Sequence, residues 1–429
     1  GDDDQSIYGW RGAEISNILE FERFFSDPKV IKLEQNYRST TPILHTANSI
    51  IRHNLGRREK SLWSENPGKD NVRVVAMPDD REEAQLVVDE ILDANTTEKR
   101  SYDDFAILFR TNGQSRLFES RLREFRIPYR VIGGQSFYDR REVKDLLAYL
   151  QVLANPDDDV NLLRIINTPP RGIGNATISL ATERSRELGR GIYEVLLSDA
   201  FLQMLGPKAR KAVLGFVDFM DQFREPMLAP SAAYGTLFSK MANEMEFVDH
   251  LRRTCKTDGE KDQRERAVSE FIESLRDHEA GGGKRGLQKF LDEVSLQSDR
   301  DDEDIEKQSG VSLITLHAAK GLEFPVVYLV GAEEGILPHK RALEEGSRDE
   351  ERRLFYVGIT RAMRQLTISF CSSRIRYGEP TPCQRSSFLD ELDPTYLDIH
   401  SFDELAAAPM EEDDAMDYFA KMKAMLGGG

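Results

Sequence analysis

Short apolar runs recur near both ends of the chain, and amphipathic stretches separate them. We predict strands at residues 30–33, 72–77, 105–109, 311–316, 326–330 and 366–370. The stretch after the second run repeats apolar residues at helical spacing, namely Ala84, Val87, Val88, Ile91 and Leu92. Because strands that alternate with such helices form parallel sheets, the outer parts of the chain are predicted to form one α/β domain.

The middle of the chain has a different pattern. Residues 161–300 show long helical periodicity with few strand candidates, and an acidic stretch at residues 298–308 closes this region. A core helix at residues 145–154 precedes it and is stopped by Asn155 and Pro156. We therefore predict a mainly α-helical domain that is inserted into the α/β domain.

Composition limits the class of protein. The chain has 429 residues, 39% hydrophobic and 31% charged, so it can bury cores in two or three domains. No apolar run is long enough to cross a membrane, and the first residues do not resemble a signal peptide. The three cysteines have neither disulfide-framework nor zinc-site spacing. A cytoplasmic protein without a membrane partner is predicted.

The formal net charge of -17 argues against a nucleic-acid partner, because Lys and Arg are needed to neutralise phosphates. Net charge alone does not decide the matter, since a cleft can be basic on an acidic protein. Much of the excess lies in acidic runs at residues 157–159, 299–306 and 411–414, which are typical of solvated loops and a tail. A DNA partner therefore stays open.

Two arginines and one terminal cluster are the strongest chemical candidates. Arg38 follows a predicted strand and precedes a helix capped by Thr40 or Thr41, and Arg361 ends a predicted helix. Guanidinium groups stabilise the charge that builds up in phosphoryl transfer, although a salt bridge is the alternative for each. Residues 1–13 pack acidic, amide, aromatic and cationic side chains at a chain end without an initiator methionine, so we expect sequence upstream.

Seven segments together resemble the UvrD/PcrA/Rep group of superfamily 1 DNA helicases, in that family's order. They are residues 1–13, 35–40, 109–112, 168–174, 315–325, 333–339 and 351–362. The resemblance implies an α/β fold, a RecA-like parallel-sheet domain of the P-loop NTPase type split by a mainly α-helical insertion. It places the edge of a first motor domain at 1–29, the second motor domain at 30–160 and 306–393, the insertion at 161–305 and an acidic, flexible tail at 394–429.

For ATP, the resemblance assigns Gln5 and Arg38 to the γ-phosphate and Arg361 as the second arginine at the phosphates. Tyr37 would stack on the adenine and Glu323 would bind the ribose. The alternatives are that Tyr37 belongs to the core and that Glu323 caps a helix or pairs locally. Magnesium ligands are expected upstream, and no metal role is assigned to the aspartates at residues 2–4.

For DNA, the resemblance points to residues that stack on bases or hold the backbone of a single strand. They are Tyr8, Trp10, Arg11, Arg110, Asn112, His317, Lys320, His339 and Tyr377, the last of which is often Phe in the family. The turn Gly172, Ile173 and Gly174 resembles a helix-hairpin-helix-like loop that contacts duplex backbone, and a plain turn between helices is the alternative. Single-stranded and junction DNA are the expected partners.

These assignments imply an ATP-dependent DNA helicase that moves 3′-to-5′ on single-stranded DNA in repair or replication. The sequence contains no G-x-x-x-x-G-K-[ST] loop, so these 429 residues alone are predicted neither to hydrolyse ATP nor to unwind DNA. The alternative is a non-enzymatic DNA- or protein-binding fragment that acts through the insertion. A helicase-nuclease relative ranks lower, because no acidic nuclease signature is present.

The last segment of the chain, residues 410–429, joins an acidic run to apolar residues near helical spacing. It is either a peptide that folds on a repair or transcription protein, or a disordered tail without a partner.

Overall fold

The computed structural model of the chain describes residues 2–9, 13–24, 28–133, 136–229, 232–280, 286–298, 309–376 and 379–406. The chain forms two compact units. The first combines Gly1–Gln135 with Glu303–Gly429, and the second is Ser136–Asp302. The first is called the α/β unit and the second the helical unit.

The strands of the α/β unit form a parallel sheet and a small ribbon. They are β1 (Val72–Met77), β2 (Phe105–Phe109), β3 (Tyr129–Ile132), β4 (Val311–Thr315), β5 (Phe324–Leu329), β6 (Ala362–Cys371), β7 (Ser373–Arg376), β8 (Glu379–Pro382) and β9 (Leu397–Ser401). Seven of them pair in the order β3-β4-β2-β5-β6-β1-β9, every pair parallel, while β7 and β8 are antiparallel. The predicted α/β fold with a parallel sheet is confirmed.

The helices occupy both units. They are α1 (Ser16–Leu19), α2 (Phe21–Phe24), α3 (Thr41–Ile51), α4 (Asp80–Thr96), α5 (Ser115–Glu124), α6 (Arg141–Ala154), α7 (Asp159–Ile165), α8 (Asn175–Leu188), α9 (Ile192–Leu197), α10 (Asp199–Met204), α11 (Pro207–Leu228), α12 (Tyr234–Glu244), α13 (Phe247–Thr254), α14 (Asp258–Ala280), α15 (Leu287–Ser298), α16 (Lys340–Glu344), α17 (Arg348–Ile359) and α18 (Phe402–Ala406). Helices α6 to α15 belong to the helical unit. None of the helices in the described ranges combines the length and apolar composition that a membrane span requires.

Both faces of the sheet are covered, as the near-continuous apolar strands require. On β2, Phe105 and Ile107 pack in one core cluster, while Ala106 and Leu108 pack in another on the opposite face. The first cluster takes the apolar face of α4, and the second takes α3 and α17. The carboxyl ends of the parallel strands therefore lie at one edge of the sheet, where the loops after them can converge.

The predicted strand at residues 30–33 is wrong. Val30, Ile31 and Leu33 are 49%, 67% and 86% exposed, and the segment forms no strand. An apolar run favours extended backbone, but it does not say which sheet edge the run can reach. Here the two edge strands are β3 and β9, and the bridge between Gln35 and Trp63 lies just after the segment.

Two boundaries of the units differ from the predicted ones. The helical unit begins at Ser136 rather than at residue 161, because the apolar residues of α6 pack in the helical core, among them Leu146 and Leu150. At the other end, β9 extends the sheet beside β1, although its residues fall in the predicted tail. The rest of that tail, from residue 407, lies outside the described residues.

Candidate functional site

Gln5 ends a short 3-10 turn, Asp3–Gln5, that a charge cluster holds in place. Arg57 donates from Nε and Nη2 to the two carboxylate oxygens of Asp4, at 2.9 and 2.7 Å. The Nζ atom of Lys60 lies 2.7 Å from Asp2 Oδ1, 2.5 Å from Asp3 Oδ1 and 3.0 Å from Asp4 Oδ2. Asp3 and Asp4 are buried. These five residues, Asp2, Asp3, Asp4, Arg57 and Lys60, are called the aspartate cluster.

The aspartate cluster resembles a metal site in its acidic groups but is filled by an ammonium. Its three carboxylates are close enough together to share one ion, and Lys60 takes that central position. Burial favours the neutral form of Asp3, but hydrogen bonds from Lys60 and from the Arg58 backbone N–H outweigh it and lower the Asp3 pKa. Burial likewise opposes the charged form of Lys60, yet its bonds to Asp2 and Asp3 raise its pKa. The cluster therefore does not fit magnesium.

Tyr37 and Arg38 lie just before α3, at the point the sequence indicates. Tyr37 is 85% exposed, and its hydroxyl donates to Gln35 Oε1 at 2.8 Å. Tyr37 is therefore not a core residue, which removes that alternative. Arg38 donates from Nε to the Glu323 carboxylate, and its Nη1 lies 3.5 Å from the Thr360 carbonyl oxygen. The structure thus brings Arg38 and Glu323 together. Their ion pair agrees with the alternative that Glu323 pairs with a neighbouring side chain.

Arg361 is buried beside this pair and is bound mainly by backbone oxygens. Its Nε donates to the Val357 carbonyl at 3.0 Å, its Nη1 to the Leu322 carbonyl at 2.9 Å and its Nη2 to Thr360 Oγ1 at 3.0 Å. Burial, followed by the charge of Arg38, lowers the Arg361 pKa to about 10. No carboxylate among the described residues forms an ion pair with Arg361. The salt-bridge alternative therefore fits Arg38 but not Arg361.

Three of the predicted DNA residues meet next to Gln5. The Tyr8 hydroxyl donates to the His317 carbonyl oxygen at 3.1 Å, and Lys320 Nζ lies 5.3 Å from the centre of the Tyr8 ring. The same Nζ donates to the Gln5 carbonyl oxygen at 2.8 Å. One lysine side chain therefore contacts both the turn that carries Gln5 and the aromatic ring of Tyr8.

Arg110, Asn112 and His339 are organised by two residues that the sequence analysis missed. The buried Glu351 carboxylate accepts from Arg110 Nη2 at 2.7 Å and from the His339 backbone N–H at 2.9 Å. Asn112 begins a 3-10 turn that ends at Gln114, whose Oε1 accepts from the Arg110 backbone N–H at 3.0 Å. Glu351 opens the motif at residues 351–362, but a carboxylate does not itself bind phosphate, so its role depends on neighbours that the motif does not show.

In the helical unit, Gly172, Ile173 and Gly174 form an open turn before α8. Gly172 has a φ of +84°, a conformation that favours glycine, and an added Cβ at either glycine would meet nothing within 4 Å. Ile173 is buried and anchors the turn, while Arg171 donates to the Ile165 carbonyl oxygen at 3.0 Å. A backbone that is open on one side and anchored on the other can approach a phosphate. Contact with duplex DNA stays a prediction.

Three predicted DNA residues, Trp10, Arg11 and Tyr377, lie outside the described residues, as does the predicted partner segment at residues 410–429.

Comparisons with known proteins identify the family. The pattern of the UvrD-like helicase C-terminal domain matches residues 31–373, and that of the UvrD/REP helicase N-terminal domain matches residues 1–26. The ATP-dependent DNA helicase PcrA of Staphylococcus epidermidis is 39% identical over 408 residues, which cover 94% of this chain and 55% of that protein. The corresponding PcrA of Staphylococcus aureus is 38% identical and is covered to 54%. The chain thus spans about half the length of the curated relatives it matches.

A solved structure of the C-terminal domain of a possible DNA helicase from Lactobacillus plantarum aligns with 85% of this chain and 98% of its own. Its identity is 13% and its TM-score 0.27, so it carries no weight here. The family patterns and the PcrA relatives confirm the resemblance found in the seven motifs. The chain belongs to the UvrD-like helicase family.

Proposed function

We propose that the chain supplies the second motor domain and the helical insertion of an ATP-dependent DNA helicase that moves 3′-to-5′ along single-stranded DNA. The observation that carries this proposal is the position of Lys320. Its Nζ lies 2.8 Å from the Gln5 carbonyl oxygen and 5.3 Å from the Tyr8 ring centre. A group in this position can transmit a change at the nucleotide to the residues that grip DNA.

The nucleotide half of the proposed site consists of Gln5, Tyr37, Arg38, Glu323 and Arg361. The exposed ring of Tyr37 offers a face on which an adenine can stack. Arg361 has no carboxylate partner among the described residues, so its charge is available to the phosphates of ATP. Arg38 would exchange its Glu323 partner for a phosphate, which releases Glu323 to accept hydrogen bonds from the ribose hydroxyls.

The DNA-binding half of the proposed site consists of Tyr8, Lys320 and Arg110 with their neighbours. Tyr8 presents a ring next to Lys320, and base stacking on such rings is independent of sequence. Glu351 fixes the Arg110 guanidinium by two-point contact, so that the arginine is oriented before a DNA backbone arrives. Closure of two motor domains around ATP would shift these contacts along the strand. Repair or replication is the proposed setting.

The relatives are named ATP-dependent DNA helicases, and this chain matches about half of their length. Because the sequence has no phosphate-cradling loop, we propose that the 429 residues alone bind DNA but do not hydrolyse ATP. Magnesium would be held by residues outside this chain, since Lys60 already fills the three-aspartate group.

The test measures binding of a fluorescent single-stranded oligonucleotide by anisotropy, with and without a non-hydrolysable ATP analogue. We expect the analogue to change the affinity and Tyr8→Ala to weaken binding by about 1–3 kcal/mol, the contribution of one stacked base. Tyr37→Ala is the matched control, because it removes an exposed tyrosine assigned to adenine rather than to DNA.

A different outcome would favour a non-enzymatic binding fragment. In that case the analogue and Tyr8→Ala would both leave affinity unchanged, and duplex DNA would bind as well as single strands. DNA-stimulated ATP hydrolysis above background by the 429 residues would contradict the proposal that they are inactive alone.

A further inference from the structure

Helix α17 carries six charged side chains, and their partners differ sharply. The first five of these side chains all have hydrogen-bond or ion-pair partners. Arg348 contacts Ser387 and Glu391, Asp349 contacts Arg352, and Glu350 accepts from the Gly9 backbone N–H. Glu351 contacts Arg110 and His339, and Arg352 contacts Asn54 and Glu391. Arg353 is the exception. Among the residues that the structure describes, no group forms a hydrogen bond or ion pair with Arg353.

Arg353 is also buried. It is only 9% exposed, and its Nε has no solvent contact and no hydrogen-bond partner among the described residues. A buried charge without a counter-charge is strongly unfavourable, so such groups are normally paired. No described residue therefore supplies an anion that pairs with the Arg353 guanidinium.

The residues one helical turn to either side of Arg353 lie close to the N-terminal segment. Residues three or four apart share one helix face, so Arg353 lies between Glu350 and Tyr356. Glu350 Oε1 accepts from the Gly9 backbone N–H at 2.9 Å. At the other end, the pKa of Tyr356 is raised by its burial and then by the charges of Asp2 and Asp4, and α17 packs against the Asp3–Gln5 turn.

None of the nearby described carboxylates forms an ion pair with Arg353. Asp4 is taken by Arg57 and Lys60, and Lys60 also holds Asp2 and Asp3. Glu350 is held by Gly9 so closely that a Cβ on Gly9 would lie 2.7 Å from Glu350 Oε2. An outside anion would supply the direct partner that no described residue gives to Arg353.

We propose that Arg353 is an anion-binding residue that takes a phosphate group. A planar guanidinium with donors in a fork matches phosphate oxygens well. Resting on the proposed function, the phosphate belongs either to the backbone of single-stranded DNA, on the side of Tyr8, or to the nucleotide, on the side of Gln5. Arg353 is then a third phosphate-binding arginine of this unit, in addition to Arg38 and Arg361.

The first test needs no DNA or nucleotide and uses inorganic phosphate as the probe. The thermal unfolding midpoint of the 429-residue chain is measured with increasing phosphate at constant ionic strength. We expect phosphate to raise the midpoint of the wild type and of Arg353→Lys more than that of Arg353→Gln. Arg364→Gln is the matched control, because it removes the same charge from an exposed position on β6.

Two further arms distinguish the source of the phosphate. For DNA, the slope of log affinity against log salt concentration is expected to become shallower by about 0.7 in Arg353→Gln, the value of one single-strand phosphate contact. For the nucleotide, a fluorescent ATP analogue would bind Arg353→Gln several-fold more weakly, with the DNA slope unchanged. Arg364→Gln should leave both measurements at the wild-type values.

Equal phosphate stabilisation of wild type and Arg353→Gln, together with unchanged DNA and nucleotide binding, would overturn the inference. Arg353 would then be a buried charge that the fold tolerates, and Arg353→Gln should raise the unfolding midpoint in plain buffer. If phosphate stabilises the wild type through Arg353 but neither DNA nor nucleotide binds, the anion site stands and the proposed helicase function of the chain fails.

Discussion

Two buried arginines of the α/β unit have opposite surroundings. Arg374 donates from Nε to Glu333 Oε2 at 2.6 Å and from Nη2 to Glu83 Oε2 at 2.8 Å, with Asp80 3.9 Å from its Nη1. Burial opposes its charged form, but these carboxylates outweigh the burial and raise the Arg374 pKa. Arg361 has backbone and hydroxyl oxygens instead, and burial lowers its pKa to about 10.

The difference distinguishes an arginine that holds the fold together from one that, on the proposed function, is kept for a ligand. Arg374 links β7 to α4 through Glu83 and to the loop after β5 through Glu333, and its charge is fully compensated. Arg361 lies just after α17, and no described carboxylate forms an ion pair with it. A buried cation in that state favours an incoming anion. The carboxylates around a buried arginine are therefore a guide to its role.

The largest expected effect is on the Arg374 side of this comparison. Arg374→Met leaves Glu83 and Glu333 buried without a cation, which should lower the free energy of unfolding by about 3–5 kcal/mol. Urea unfolding followed by circular dichroism measures the change. Arg364→Met removes an exposed arginine and should cost less than about 0.5 kcal/mol. A loss below about 1 kcal/mol for Arg374→Met would mean that the carboxylates do not define a structural arginine.

The aspartate cluster gives an intermediate case, because Lys60 is partly exposed but bound by three carboxylates. Lys60→Met should lower the free energy of unfolding by about 2 kcal/mol, less than for a fully buried pair. Lys60→Arg keeps the charge and should retain part of that stability. Arg58→Met is the control, since its pair with Glu22 is more exposed.

The pH dependence of stability sharpens the same test. The folded state lowers the Asp3 pKa, so this contribution is present above the ordinary Asp value and is lost as pH falls through the folded pKa. The folded state raises the Lys60 pKa, so its contribution is present below the ordinary Lys value and is lost as pH rises through the folded pKa. Lys60→Met should therefore remove the alkaline loss and shift acid unfolding to higher pH. If Lys60→Met has the same dependence of stability on pH as the wild type in both acid and alkali, coupling between Lys60 and Asp3 is excluded.

The sequence predicted most of the strands and the motif positions, but not the partners of the site residues. Apolar periodicity located β1 and β2 because buried parallel strands are apolar throughout. Apolar periodicity failed at residues 30–33, because these residues favour extended backbone but do not pair with either edge strand of the sheet. The pairing of Lys60 with residues 2–4 joins segments far apart in sequence, and no local spacing indicates it. That no described group pairs with Arg353 can likewise be seen only once its neighbours are placed.

The smallest expected effect on stability belongs to Arg361. Arg361→Met loses hydrogen bonds to Val357, Leu322 and Thr360 but also removes a buried charge, so we expect a loss of only about 1 kcal/mol. The lowered pKa of about 10 gives a second readout. Below that pH the folded and unfolded states both hold the proton, and the burial penalty is constant. Above it the folded state loses the proton first, so the wild type should gain stability relative to Arg361→Met as pH rises. A loss as large as that of Arg374→Met, with no relative gain above pH 10, would make Arg361 a structural arginine and remove the distinction between the two surroundings.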